Sequence, residues 1–276
     1  MNQPANELEA LQLVSQERSN EVKARCLLIG VVVLFVAGVL TASSYGKIDP
    51  KTCAGMWLFD EGKGDIATDS SGNKNDGKLT GGPKWVDGKI GKSLEFDGAS
   101  SYVSVPNSES LNPTTAITLE AWIYPKGFDA DGNGILTKEG QYILGLNWPQ
   151  GGNAQKLNLW LTIGSWILFT GDEVTADSWS HVAATYDGSI KKLYINGKLV
   201  NSVDQKGEIA TSANNILIAQ GNVGVGSQAF KGFIDELAIF NVALTETDIK
   251  DSMRGFLYAV EPSGKLTTTW AAIKAR

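Results

Sequence analysis

Three observations make this sequence an all-β chain, folded as a two-sheet antiparallel sandwich. Short runs of alternating apolar and polar residues follow one another from about Ala54 to Ile239. Asp-Gly pairs at 76–77, 87–88, 97–98, 131–132 and 187–188, and Asn-Gly at 196–197, punctuate them. Such pairs tolerate positive φ and close tight hairpins. No segment between them carries the 10–15-residue helical pattern that a parallel α/β sheet would need. The absence of a fixed-period repeat argues against a propeller or solenoid.

Composition narrows the function. A hydrophobic fraction of 42% is enough for a packed core, and 31 glycines suit a fold rich in tight turns. A net charge of −6 and the lack of any basic stripe argue against nucleic acid, whose phosphates need a cationic surface.

The first element is a separate object. Cys26 to Leu40 is an uncharged apolar run, preceded by Lys23 and Arg25 and followed by the small residues Thr41, Ala42, Ser43, Ser44 and Gly46. Its ~15 residues match a secretory apolar region better than the ~20 that cross a bilayer. Residues 1–46 therefore read as an N-terminal extension plus a signal peptide cleaved near Ser44 or Gly46. An uncleaved single-pass anchor, the segment's one route to a membrane, is the alternative. A start near Val22 would give an ordinary positive leader. Export is expected on either reading. Cys26 leaves with a cleaved leader, and Cys53 then stands alone, so no intrachain disulfide is available.

After a linker over 47–54 the domain is expected over 55–254. Ala116–Tyr124 alternates cleanly: Ile117, Leu119, Ala121 and Ile123 face one way, Thr118, Glu120, Trp122 and Tyr124 the other, and Pro125 ends the strand. Lys191–Val203 reads as a two-residue hairpin about Asn196-Gly197. One short helix closes the domain, with Thr245 as N-cap, Asp248 at N3, and Leu244 stapled on Ile249. It should stop before Gly255, leaving a tail over 255–276.

Several of these runs occur in a telling order. They are Gly55-Met-Trp-Leu-Phe-Asp-Glu-Gly, Leu94-Glu-Phe-Asp-Gly, Ile117-Thr-Leu-Glu-Ala-Trp-Ile, Trp179-Ser-His-Val-Ala-Ala-Thr-Tyr-Asp-Gly, Leu193-Tyr-Ile-Asn-Gly-Lys, and Phe230-Lys-Gly-Phe-Ile-Asp-Glu-Leu-Ala-Ile-Phe. Their wording and order resemble the laminin-G-like, concanavalin A-like lectin/glucanase jelly-roll modules of secreted proteins, over about Gly55 to Met253. The resemblance implies one concave and one convex sheet. It also implies binding of carbohydrate, glycoprotein or protein partners, often with calcium.

Catalysis finds little support in the residues. The single histidine, His181, sits inside one of the strand runs, and no Gly-x-Ser-x-Gly elbow surrounds a serine. Laminarinase-type relatives of the fold carry Glu-x-Asp-x-x-Glu along one strand, and that pattern is absent here. A non-catalytic module is expected.

Two calcium sites are conceivable. By analogy with laminarinase-type relatives, a structural Ca2+ would be held by Asp60 or Glu61, the carbonyl of Gly98, and Asp235. Asp235 is expected to share a strand face with Leu237 and Ile239, where a carboxylate needs a metal or backbone N–H partners. The weaker alternative is the loop Asp129, Asp131, Asn133, which matches the first half of an EF-hand. It lacks the closing glutamate and has strand-like flanks.

For glycan binding the candidates are Trp148, Trp160 and Trp166 as stacking groups, with Asn147 and Asn158 as hydrogen-bonding amides. Trp160, Asn158 and Thr162 share one face, opposite Leu157, Leu159 and Leu161, as on a polar concave surface. The function expected is an exported recognition module for glycan or glycoprotein at the cell surface. Two alternatives are a protein-adhesion module without a sugar site and, third, a carbohydrate-active hydrolase.

Overall fold

The computed structural model describes residues 48–128, 133–146, 155–221 and 228–255. These residues form two antiparallel sheets packed face to face.

Sheet A contains β14 (Lys198–Asp204), β13 (Ile190–Ile195), β12 (Ser180–Tyr186), β7 (Ile117–Pro125), β16 (Lys231–Phe240), β5 (Lys92–Asp97) and β4 (Lys84–Asp87), in that spatial order. β1 (Cys53–Trp57) adds to the C-terminal half of β16, with Gly55 opposite Ile239 and Trp57 opposite Leu237. Sheet B runs β11 (Ser165–Glu173), β10 (Lys156–Ile163), β9 (Tyr142–Leu146), β8 (Asn133–Lys138), β15 (Ile216–Ile218), β6 (Tyr102–Val105), β3 (Gly77–Thr80) and β2 (Ile66–Ala67).

The strand code works as alternation requires. Ile117, Leu119, Ala121 and Ile123 of β7 and Leu157, Leu159 and Leu161 of β10 meet between the sheets, all shielded from solvent. Apolar burial on this scale, about 25 cal/mol per Å2, is what holds two such sheets together. The 196–197 hairpin has the expected geometry, with Asn196 at φ 51 and Gly197 at φ 72. Asn196 also accepts a hydrogen bond from His181 N through Oδ1 (3.0 Å), which ties the turn to β12.

A smaller apolar cluster lies on the outer face of sheet A. The helix Glu246–Ser252 lies there, with Leu244 and Ile249 packed among Met56, Ala183, Tyr194, Ala238 and Phe240. Its capping box is complete: the Thr245 side chain accepts from Asp248 N, and the Asp248 carboxylate accepts from Thr245 N. The helix stops at Ser252, and Gly255 follows at φ 81.

Strand β1 begins at Cys53, two residues ahead of the domain start expected at Gly55, and Ile48 is already buried in the smaller cluster. Cys53 is buried. Among the described residues no helix is long and apolar enough to cross a membrane. The apolar run 26–40 and the tail from 256 lie outside the described residues.

Candidate functional site: an open trough on sheet B

The strand register lines up one residue from each strand on the outer face of sheet B. From β2 to β11 the row is Ile66, Lys78, Ser104, Leu217, Thr137, Ile143, Trp160 and Leu168. Their neighbours along each strand point into the core, because successive side chains alternate.

Near the middle of this row the face opens into a trough of about 490 Å3, within the range of small-ligand sites. Tyr102 and Ser104 of β6, Thr137 at the end of β8, Glu139 just beyond it, and Asn214, Asn215 and Leu217 line it. Tyr102, Ser104 and Leu217 are half-buried, Asn214 and Asn215 are exposed, and Thr137 is 1% exposed. The Thr137 hydroxyl makes no hydrogen bond to the protein. An orphaned buried oxygen of this kind calls for a partner from outside the chain.

The loop that forms the rim is held by its own side chains. Ser212 Oγ and Asn214 Nδ2 both donate to the carbonyl of Glu139, at 2.6 and 3.1 Å. Asn215 Oδ1 accepts from Asn107 N (3.2 Å), and Asn112 Oδ1 accepts from Ser212 N (3.3 Å). The rim is therefore shaped before any ligand arrives, which lowers the ordering cost of binding.

Of the expected stacking groups, Trp160 and Trp166 lie together on this face, edge to face with centroids 6.0 Å apart. Their burial differs: Trp166 is 39% exposed, whereas Trp160 is 8% and Asn158 1% exposed. Trp160 is thus outside the inter-sheet core, as its face predicts, but Trp166 carries most of the accessible indole surface. Trp148 and Asn147 lie outside the described residues. Sequence reasoning missed the trough residues; the Asn214-Asn215 pair beside a short apolar strand was the one local signal for them.

Of the residues expected to hold calcium, Asp60 and Asp235 meet at one turn and Gly98 lies apart from them. Asp60 Oδ1 accepts from Lys92 N (2.8 Å) and Asp235 Oδ2 from Ile90 N (2.9 Å), so both carboxylates brace the β4–β5 turn. Glu61 Oε1 turns instead to Thr68 N (2.7 Å). Gly98 lies beyond the far end of β5, against Lys231, about 13 Å along the strands from Asp235 at ~3.3 Å per residue. The glycine beside Asp235 is Gly88, where an added Cβ would fall 2.7 Å from Oδ2.

The expected face of Asp235 is also corrected. A bulge between Asp235 and Ala238, with Glu236 at φ 50, shifts the alternation by one. Leu237 and Ile239 enter the core, while Asp235 pairs with Trp122 on the outer face of sheet A. Of the EF-hand-like loop, Asp129 and Asp131 lie outside the described residues. Asn133 opens β8 and is buried at 1%. Among the described residues no group of three or more His, Cys, Asp or Glu side chains is arranged to hold a metal.

His181 lies on the outer face of sheet A, 2% exposed, with its Nε2 3.9 Å from Glu120 Oε2. Trp122 packs edge-on against it at 5.4 Å, and Ser252 Oγ donates to Glu120 Oε1. Burial pushes the Glu120 carboxyl up to about 8 and the imidazole down to about 3. Near neutral pH both are uncharged and shielded from solvent, which does not suit a general base.

Comparison with known proteins follows the same lines. A laminin-G-like family model, described as the concanavalin A-like lectin/glucanases superfamily, matches residues 97–250. The chain belongs to this superfamily. Among solved structures, domain 4 of AbnA, a GH43 extracellular arabinanase from Geobacillus stearothermophilus solved with arabinotriose, is 26% identical. That match has a TM-score of 0.59 and covers 73% of this chain and 98% of that one. The binding domain of Paraclostridial Mosquitocidal Protein 1 shares the fold at 18% identity and TM-score 0.60, over 74% of this chain and 52% of that one. Mouse (Mus musculus) pappalysin-1 is 34% identical over 102 residues, covering 35% of this chain. The matched segment spans 6% of pappalysin-1's length.

Proposed function

We propose that this lectin/glucanase-like protein is an exported, non-catalytic recognition module that binds glycan through the outer face of sheet B. The observation that carries the reading is the open, polar trough on that face, flanked along the sheet by an exposed tryptophan. The superfamily supports it, as does the likeness to almost the whole of an arabinanase domain solved with a trisaccharide. Sugars offer hydroxyl groups along their edges and C–H groups on their faces. Amides, hydroxyls and aromatic rings on a pre-shaped surface match both.

Recognition rather than hydrolysis follows from the charges at the site. Glycoside cleavage by paired carboxylates needs two acids about 5–9 Å apart. Glu139 is the one carboxylate among the described lining residues. Export rests on the apolar run 26–40 and its flanks.

The full-length protein should bind arabinotriose or other oligosaccharides on a glycan array, with calorimetric confirmation. It should release no reducing ends from them. A blank array together with tight capture of a purified cell-surface protein lacking glycans would replace this reading by the adhesion module.

A further inference from the structure

The trough has a chemical bias that the fold does not dictate. Its described lining has one negative side chain, Glu139, and no Lys or Arg. An anionic sugar placed there would meet a like charge, in a chain whose net charge is already −6, and the nearest outward cation in the row is Lys78, one strand outside the lining beside Ser104. The remaining groups suit uncharged hydroxyls and C–H surface. Asn214, Asn215, Ser104 and Tyr102 offer both donors and acceptors. The Tyr102 ring, Leu217 and Ala213 provide an apolar counterpart.

Two features mark the trough as a built site. Thr137 in its lining is 1% exposed, and its hydroxyl has no protein partner. The Asn214–Asn215 rim is pinned to the Glu139 carbonyl and to Asn107 N, so its amides do not have to be ordered by the ligand.

Resting on the glycan reading above, we infer that the primary ligand site is this trough, built on Tyr102, Thr137 and Asn214–Leu217. Its occupant is a neutral saccharide, preferred over uronic-acid or sulfated glycans. Trp166, on β11 three strands beyond Thr137, is at most an extension of the site.

The test titrates full-length protein by calorimetry with neutral linear oligosaccharides of glucose, mannose, xylose and arabinose. Oligogalacturonides and heparin fragments form the anionic panel. Tyr102→Ala, Thr137→Val and Trp166→Ala are measured beside the wild type. Thr137→Val keeps the shape and removes only the hydroxyl, so it reports on binding with the fold intact. At least one neutral sugar should bind, with about tenfold or greater loss in Tyr102→Ala and Thr137→Val and a smaller loss in Trp166→Ala. Loss confined to Trp166→Ala would overturn the trough while leaving the glycan reading standing. Preference for the anionic panel would overturn the neutrality. Failure of every sugar in both panels would remove the glycan reading and this inference together.

Discussion

The outer faces of the two sheets are built from the same alternating strands, yet they treat their polar groups in opposite ways. On sheet A, Glu120, His181 and Asp251 are each at most 5% exposed, in the layer occupied by the helix Glu246–Ser252. Among the described residues, Glu120 Oε2, His181 Nδ1 and Asp251 Oδ2 make no hydrogen bond there. On sheet B, Tyr102, Ser104 and Leu217 are half-buried around an open trough. The capping box and the Leu244/Ile249 anchor place the helix on one face only. The difference teaches that availability, more than the number of polar or aromatic groups, separates a binding face from a structural one. Trp122, on sheet A, is as buried as Trp160 on sheet B, both at 8%.

The sharpest break of this comparison exchanges tryptophan for alanine on each face. Trp122 donates through Nε1 to Met253 O (3.2 Å), packs on His181, and lies under Lys89 Nζ at 4.6 Å. Trp122→Ala should cost ~3–5 kcal/mol in denaturant unfolding. Trp166→Ala, on the open face, should cost less than ~1 kcal/mol. Equal losses would mean that the sheet B face is as structural as the other.

Titration separates the faces next. Folded Glu120 keeps its proton to about 8, whereas an unfolded glutamate releases it near 4.5. The unfolded chain holds fewer protons across that window, so stability falls as pH rises from 4.5 towards 8 and then levels. The slope can reach ~1.4 kcal/mol per pH unit. His181 has the opposite sign: its unfolded form binds a proton near 6.5 and its folded form only near 3, so stability is lost as pH falls through that range. Between about 4.5 and 6.5 the two slopes oppose each other, so the net decline lies above about 6.5; Glu120→Gln should flatten it there in thermal melts, while Tyr102→Ala leaves it unchanged. A decline that persists in Glu120→Gln would assign it to another group.

Asp235→Ala should cost ~1–3 kcal/mol by stripping the acceptor from Ile90 N. Because Asp60 and Asp235 already accept backbone N–H groups, excess chelator should leave the melting temperature where it was. A large drop in chelator would restore the calcium reading. The smallest effect is expected on sheet B, where Thr137→Val removes a hydroxyl that already lacks a partner and should shift stability by less than ~0.5 kcal/mol.

What could be read in advance follows the range of the forces involved. Alternation in β7, the Asn196-Gly197 turn and the Thr245–Asp248 box are local signals, and each appears where the sequence puts it. The ordered strand runs imply a sandwich, and in it the first strand, β1, pairs with the last, β16. The bulge at Glu236 was not legible, because a glutamate at positive φ carries no turn signature, and it moved Asp235 to the other face. The face of Trp160 was legible and its burial was not, since burial depends on neighbouring strands. The trough gathers residues from 102 to 221 of the chain, brought side by side only by the strand order β6-β15-β8.

The pairing of Cys53 with Phe240 has a mechanical consequence. In this antiparallel pair the chain enters the domain and leaves its last strand at the same end. Tension applied through both flanks, once the segment Leu244–Met253 has come off sheet A, would load that end alone and peel β1 from β16 one hydrogen bond at a time, as a zipper opens. It would not shear the whole ladder at once. A module built this way yields at low force when its two flanks are pulled apart, and single-molecule stretching should show β1 detaching before the rest of the sandwich gives.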